Sequence, residues 1–382
     1  MIELAQAPLE VTVALNESGY GDFAALKPSA VPVGYAVSDT KSFLAALESA
    51  KGGETIMVRA GVVIGPLKVS KKVFAKPVRI IGRGQIVNMD LVDCQGLVFD
   101  GLEFYAKSPG HTLFNITRSK RLVFQNLNIH GSLDGNPKND GAAFSITRSS
   151  EITIRGNEFQ QLKRAVIANN TDRLTIERND IHDMQTDGMI FAEMTNLRIV
   201  GNFIGQFSPV TGDHPDGIQV LTRGTTVPTR GVYIADNLIY RGDGAGMQGI
   251  FFGNEDDVPF EDIEITRNLL IGTGYRGISV GGGRNITITD NELWGQTQMV
   301  KGEMKGIANG IHAPRVDGLV VVGNRSSGAV GLAENAAGKN GSVNVTKRGN
   351  TLTSKSATSK EVDAAISSWK ARGGFTPARL AR

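Results

Sequence analysis

EITIRGNEFQQLKRAVIANNTDRLTIERNDIHDMQTDGMIFAEMTNLRIVGNFI, residues 151 to 204, repeats one phrase three times. EITIRGNEF at 151, RLTIERNDI at 173 and NLRIVGNFI at 196 each alternate apolar and polar residues and then reach an asparagine. Alternation of period two marks a strand with one buried face. Asn157, Asn179 and Asn202 fall 22 and 23 residues apart, too close for separate domains and suited to one coil of a solenoid.

Outward from this stretch the phrase recurs as GLVFDGLEF at 96, RLVFQNLNI at 121, GVYIADNLI at 231, DIEITRNLL at 262, NITITDNEL at 285 and GLVVVGNRS at 318. The asparagine returns at Asn237, Asn268, Asn291 and Asn324. A second column opens each following strand: DGAAF at 140, RAVIA at 164, DGMIF at 187, DGIQV at 216, QGIFF at 248, RGISV at 276 and NGIHA at 309. Glycine holds the second place in all of these but RAVIA, which points to a tight corner with unusual backbone angles. The expected fold is all-β, a right-handed parallel β-helix solenoid of about ten coils, with stacked asparagines hydrogen-bonding from coil to coil. Leucine-rich repeats share the period, but the helix-forming half of their unit is missing here.

Three segments follow. Residues 1–51 form a lead-in and a helix that Asp39 caps, with Phe43, Leu44 and Leu47 on one stripe and Gly52 and Gly53 after its end. Residues 52–330 are the β-helix. Residues 331–382 are a small, polar tail ending in a helix, where Thr358 and Glu361 have capping-box spacing and Val362, Ala365, Ile366 and Trp369 make the apolar stripe. Both helices are expected to cap the open ends of the stack.

Composition agrees with a many-turned β protein: of 382 residues 47 are glycine, and aromatics are 6%. A net charge of +3 is compatible with an acidic polymer as partner and indicates no nucleic acid. The single cysteine, Cys94, excludes a disulfide framework and a cysteine zinc site, and is expected to be a small buried hydrophobe. No run approaches the roughly 18 apolar residues of a membrane span, so no membrane partner is indicated. Residues 1–15 show no signal peptide. The expected location is nonetheless secreted, periplasmic or virion-associated, as a virion component or as a mature form.

Excess residues in a solenoid map to loops on one side. HGSLDGNPKN from 130, GQFSPVTGDHP from 205, YRGDGAGM from 240 and GQTQMVKGEMKGIA from 295 are long, whereas QQLKR at 160 and HDMQT at 182 are short. All occupy the same corner, which predicts a groove whose floor is the two short coils. The floor supplies Lys163, Arg164, His182, Asp183 and Asp187, and the taller wall supplies Asp213, His214, Asp216, Gln219, Arg241, Asp243, Gln248, Tyr275 and Arg276. If the columns hold, Arg164, Asp187, Asp216, Gln248 and Arg276 stack about 4.8 Å apart. Two stacked aspartates repel unless an arginine, a shared proton or a cation intervenes, so Asp187 and Asp216 are candidates for an acid/base pair or for Ca2+ ligands. Plainer readings exist: Asp-Gly is a common turn, His182 suits a solvated corner, Lys163 and Arg164 suit a solvated edge, and His312 lies in an apolar strand.

From Gly52 to Asn324 the chain resembles the pectate-lyase-like superfamily of right-handed parallel β-helices, which includes polysaccharide lyases, alginate epimerases, glycoside hydrolases and phage tailspike depolymerases. AALESAKGGETIMVRAGVV, from 45, is similar to the lead-in many of these share. GDHPDGIQVLTRGTTVP, RGDGAGMQGIFF and GTGYRGISVGGG resemble a group of bacterial and phage-associated β-helix proteins described by their repeats, and mark Asp213, His214, Asp216, Gln219, Gln248 and Tyr275. The order Asp213, His214, Pro215, Asp216 departs from the epimerase motif.

The resemblance implies an enzyme cleaving an anionic, uronate-containing polysaccharide or oligosaccharide by β-elimination. His214 or Lys163 is then the base, Arg241 or Arg276 neutralises the carboxylate, and Asp187 and Asp216 hold calcium or orient His214. Arg164, His182, Gln219, Gln248, Tyr275 and Arg276 bind substrate. An alternative is a glycoside hydrolase of tailspike type using Asp187 with Asp216, or Asp213 with Asp216. A third reading is a non-catalytic glycan-binding or structural spike protein, assembled as a homotrimer.

Overall fold

The computed structural model describes residues 34–106, 110–274, 276–300, 303–331 and 341–373. Its strands form three parallel sheets of 13, 12 and 11 strands, and every coil visits them in the same order. We call them faces A, B and C. Each nine-residue phrase is two strands rather than one. In the coil at 150, Ser150–Arg155 lies on face A, Glu158–Gln160 on face B and Arg164–Asn169 on face C.

The break within the phrase comes from its chemistry. The residue before each asparagine, such as Gly156, Arg178 or Asp236, takes a left-handed φ of 61°, 52° or 56° and turns the chain from A to B. The asparagine then fastens the corner. From Asn179 through Asn202, Asn237, Asn268, Asn291 and Asn324 to Asn350, each Oδ1 accepts the backbone N–H and the Nδ2 of the asparagine one coil below, at 2.9–3.0 Å, and Asn157 Oδ1 at the foot of the ladder accepts the Leu127 N–H. Buried amides are thus satisfied by their own kind. Inward columns fill the interior, including Phe99 stacked on Phe124 at 5.1 Å and Phe114 on Phe144 at 4.7 Å. Cys94 is buried as expected.

The repeat runs past residue 330. Val343–Arg348 pairs with Val316–Val322 on face A, and Thr351–Leu352 pairs with Arg325–Ser326 on face B. The expected boundary therefore falls inside the stack.

The N-terminal helix α1, Thr40–Ser49, is capped by Asp39 and buries Phe43, Ala46 and Leu47 against the first coils. It covers that end as expected. The C-terminal helix α2, Ser359–Gly373, has the expected Thr358–Glu361 capping box but does not cap. Val362, Ile366 and Trp369 instead pack on Phe203, Leu238, Leu269, Ile271 and Trp294, outward residues of face B in the middle of the stack. Trp369 Nε1 donates to the Asp236 carbonyl at 2.6 Å. An outward face that rich in large apolar residues needs a cover, and the helix supplies it. The end coil stays open among the described residues, with Val343 56% and Leu352 79% exposed. Because α2 clamps a side and not an end, Trp369→Ala is expected to expose the helix to limited proteolysis while leaving the solenoid's melting transition nearly in place.

No helix among the described residues is long and apolar enough to cross a membrane.

Candidate active site

All four long insertions leave from the corner between faces B and C. They run from His130 to Ala142, Gly205 to Asp216, Tyr240 to Gln248 and Trp294 to Gly310, the last as an antiparallel hairpin of Gln296–Val300 and Glu303–Ile307. The connections from Gln160 to Arg164 and from His182 to Met189 are short, and the neighbouring loops lean on them. Gln161 accepts the Gly135 N–H and donates to Asp134, while Gln185 donates to Asp213 and Met184 accepts the Ser208 N–H.

At this corner the glycines of the second column do a different job from the one expected. Gly141, Gly188, Gly217, Gly249 and Gly277 have no left-handed φ. What they lack is room: a Cβ on Gly188, Gly217 or Gly249 would come within 2.6, 2.9 or 2.2 Å of the carbonyl oxygen of the next glycine up. Glycine is needed because successive coils touch backbone to backbone.

The tight stack brings the neighbouring polar column together. Pairing of Val166 with Met189, Met189 with Ile218, Asp216 with Gln248 and Ile250 with Ile278 puts Arg164, Asp187, Asp216, Gln248 and Arg276 in line. Asp140 does not share the place of Arg164; Ala142 does, because the coil below is two residues out of step with the assumed alignment. Asp140 instead accepts the Ser132 N–H at 2.7 Å and ties down its own loop.

Arg164 Nε donates to Asp187 Oδ2 at 3.1 Å, and the Asp216 backbone N–H donates to Asp187 Oδ1 at 3.1 Å. Asp216 accepts from Gln219 Nε2 at 2.6 Å and from Gln248 Nε2 at 3.0 Å. Gln248 Nε2 also lies 3.2 Å from Nδ1 of His214, which is exposed. Asp216 is 0% and Asp187 4% exposed. Burial, and then the Asp187 carboxylate beside it, push Asp216 up to about 8, against the two glutamine hydrogen bonds. Asp216 therefore carries a proton at neutral pH, and Asp187 is held by an arginine.

The pair does not suit calcium. Every oxygen of the two carboxylates already faces an N–H donor, where a cation would need oxygen ligands. Among the described residues, no group of three or more His, Cys, Asp and Glu is arranged to hold a metal ion.

The sequence from 92 to 212 matches the family model of the right handed β-helix region. A tailspike protein mutant of E. coli bacteriophage HK620, in complex with pentasaccharide, superposes with a TM-score of 0.52 at 10% identity, over 84% of this chain and 63% of that one. The chain is a right-handed parallel β-helix. Also similar are an exopolygalacturonase from Thermotoga maritima, with a TM-score of 0.47 at 9% identity over 75% of this chain and 84% of that one, and a DFA-IIIase from Arthrobacter chlorophenolicus A6 in complex with DFA-III, with 0.48 at 12% over 86% and 83%. At such identities the likeness is one of fold. No curated protein matches the chain.

Several expected site residues have other duties in this β-helix. Asp213 folds back on its own loop, accepting the Val210 N–H and the Gln185 amide. Arg241 is half-buried and spans two loops, donating to the carbonyls of Gly244 and Thr297. His182 is no solvated corner residue: it is 1% exposed, on the outer side of face B, between Asp183 at 2.9 Å and Glu158 at 3.2 Å. Lys163 lies beside Arg164 and is partly exposed, Arg276 is exposed, and Tyr275 lies outside the described residues. His312 is partly buried, its pKa lowered by burial and by Arg276.

One neighbour of the pair went unread. Phe251 faces outward one coil above Gln219, partly exposed. In QGIFFG it sits beside the inward Phe252, and only the alternation between the two would have separated them.

Proposed function

We propose that the β-helix is a polysaccharide-cleaving hydrolase whose reaction centre is Asp216 with Asp187. One observation carries this: two carboxylates on adjacent coils, one kept neutral by burial to about 8 and the other paired with Arg164, divide the roles of acid and charged partner. The Asp216 carboxyl reaches a bound sugar once the partly exposed Gln219 amide swings outward. It then gives its proton to the glycosidic oxygen as the anomeric C–O bond breaks. Adjacent coils lie about 4.8 Å apart, which supports the close carboxyl spacing of a retaining mechanism, roughly 5–5.5 Å. On that basis Asp187 attacks the anomeric carbon, and water releases the sugar with Asp216 now acting as base.

Hydrolysis is favoured over β-elimination because the two arginines nearest the pair are engaged, Arg241 with loop carbonyls and Arg164 with Asp187, which leaves the exposed Arg276, two coils above Asp216, as the one arginine of the column open to a uronate. A tailspike of the same fold holds a pentasaccharide, which is in keeping with a glycan ligand.

The test is to incubate the full chain with neutral and anionic polysaccharides. Expected are new reducing ends without the ultraviolet absorbance of an unsaturated uronate, the same rate in EDTA, and first-formed products that keep the anomeric configuration by NMR. Unsaturated products would overturn hydrolysis in favour of elimination. Inverted products would leave hydrolysis standing and move Asp187 from nucleophile to base.

A further inference from the structure

Face C carries an uncharged outward strip beside the acidic pair. Register stacks Ile167, Ile190, Gln219 and Phe251 on four successive coils, about 4.8 Å apart. All four are partly exposed. The outward side of a sheet that meets water ordinarily alternates to polar residues, and a run of half-exposed apolar side chains there marks a contact surface. Its one polar member, Gln219, is the residue whose amide donates to Asp216 at 2.6 Å, so strip and pair are continuous.

The ring of Phe251 has a prepared seat. Gly253 is two residues on, on the same outward side, and its φ is not left-handed, so the backbone does not demand glycine. A Cβ there would come within 2.8 Å of Phe251 Cε1 and 3.0 Å of Leu221 Cδ2. The bare glycine lets the ring lie along the strand, where it can turn a face to solvent.

We propose that Phe251 is a stacking platform that seats a pyranose ring of a neutral glycan one coil above Gln219 and the Asp187–Asp216 pair. The proposal rests on the cleavage reading above and adds the substrate class. An aromatic face is apolar with a negative quadrupole, so it attracts the C–H groups of a sugar ring. A uronate lying on this strip would press its carboxylate against uncharged side chains. The nearest arginines on the floor and wall, Arg164 and Arg241, are committed to Asp187 and to loop carbonyls. Exposed cations close by are Arg276, on the coil above, and Arg223, which is paired with the Glu255 carboxylate beside Gly253, and binding dominated by them would respond to salt.

The experiment uses the full chain with Asp216→Asn as a non-cleaving binder. Retention is measured on neutral glucans and galactomannans and on anionic polygalacturonate and alginate, at low and high salt, with thermal melting as a folding check. Salt-insensitive binding to a neutral polysaccharide is expected, weakened roughly tenfold by Phe251→Ala and kept by Phe251→Trp. Unchanged affinity in Phe251→Ala overturns the platform. Binding confined to anionic chains and lost at high salt overturns the neutral class. If Phe251→Ala binds fully while Asp216→Asn has lost turnover of that glycan, the platform fails and the cleavage reading survives. If the wild-type protein neither binds nor cleaves any member of the panel, both fail together.

Discussion

Asp216→Asn is expected to lower turnover by about 10²–10⁴-fold and, in alkaline solution, to make the protein harder to unfold. Both effects come from one buried carboxyl. An amide of the same shape cannot donate the proton, yet it still accepts from one glutamine and donates to the other once that amide turns. The stability effect follows from linkage. The folded-state pKa of Asp216, about 8, lies well above the ordinary carboxylate range that applies in the unfolded chain, so this group's contribution is fully present below about pH 4 and is lost as pH rises through about 8. Across that window the wild-type protein bears a growing penalty, on the order of 5 kcal/mol as an upper bound at about 1.4 kcal/mol per unit. The asparagine variant bears none. Melting temperatures measured at acid, neutral and alkaline pH should converge at low pH and separate, variant above wild type, as pH rises. The wild-type rate should fall as pH passes about 8, where the acid loses its proton. Parallel melting curves for the two proteins at every pH would mean that the carboxyl is not held neutral by its burial.

The second large effect belongs to the asparagine corner. Asn237 is 0% exposed and sits mid-ladder. Its Oδ1 accepts both the N–H and the Nδ2 of Asn202, and its Nδ2 donates to the carbonyls of Ile199 and Ala235 and to Asn268 Oδ1. Asn237→Ala removes one side chain and strands several buried donors and acceptors at once. With about 1–3 kcal/mol for each unsatisfied group and some relaxation, a loss of roughly 3–5 kcal/mol is expected by urea denaturation. Asn350→Ala, at the partly buried last rung, should cost far less, because water can enter where the partly exposed Asn350 side chain stood and meet the Asn324 donors. Equal costs at the two positions would show that the ladder does not act as a clamp.

Much of this was legible in the chain. The asparagine column could be read because a buried amide has few ways to be satisfied, and a repeated amide at coil spacing answers itself. The line from Arg164 through Asp187, Asp216 and Gln248 to Arg276 could be read because strand register carries one column with the next. The same logic misplaced Asp140, since a loop of unknown path hides a shift of two residues. Glycines 188, 217 and 249 showed that something was tight without showing that it was the backbone of the neighbouring coil. The stripe of Val362, Ile366 and Trp369 said that a face was buried, but a stripe does not name what lies beneath it. The outward Phe203, Leu238 and Leu269 were the missing half of that statement. The state of Asp216 lay beyond the sequence, because a carboxyl's acidity depends on how completely water is removed around it.

Two of the three corners of each coil divide the labour of inheritance. Where faces A and B meet, the asparagine amides leave no freedom in length, so a single inserted residue there would break the register of everything stacked above. Where faces B and C meet, connections as short as the one from Gln160 to Arg164 and as long as the hairpin before Gly310 leave the strands paired, the hairpin at the cost of one shift in register between Arg276 and Ile278. New loops can be tried at that second corner without renegotiating the fold, and the acidic pair stands beside it, where a changed loop would meet whatever the pair meets.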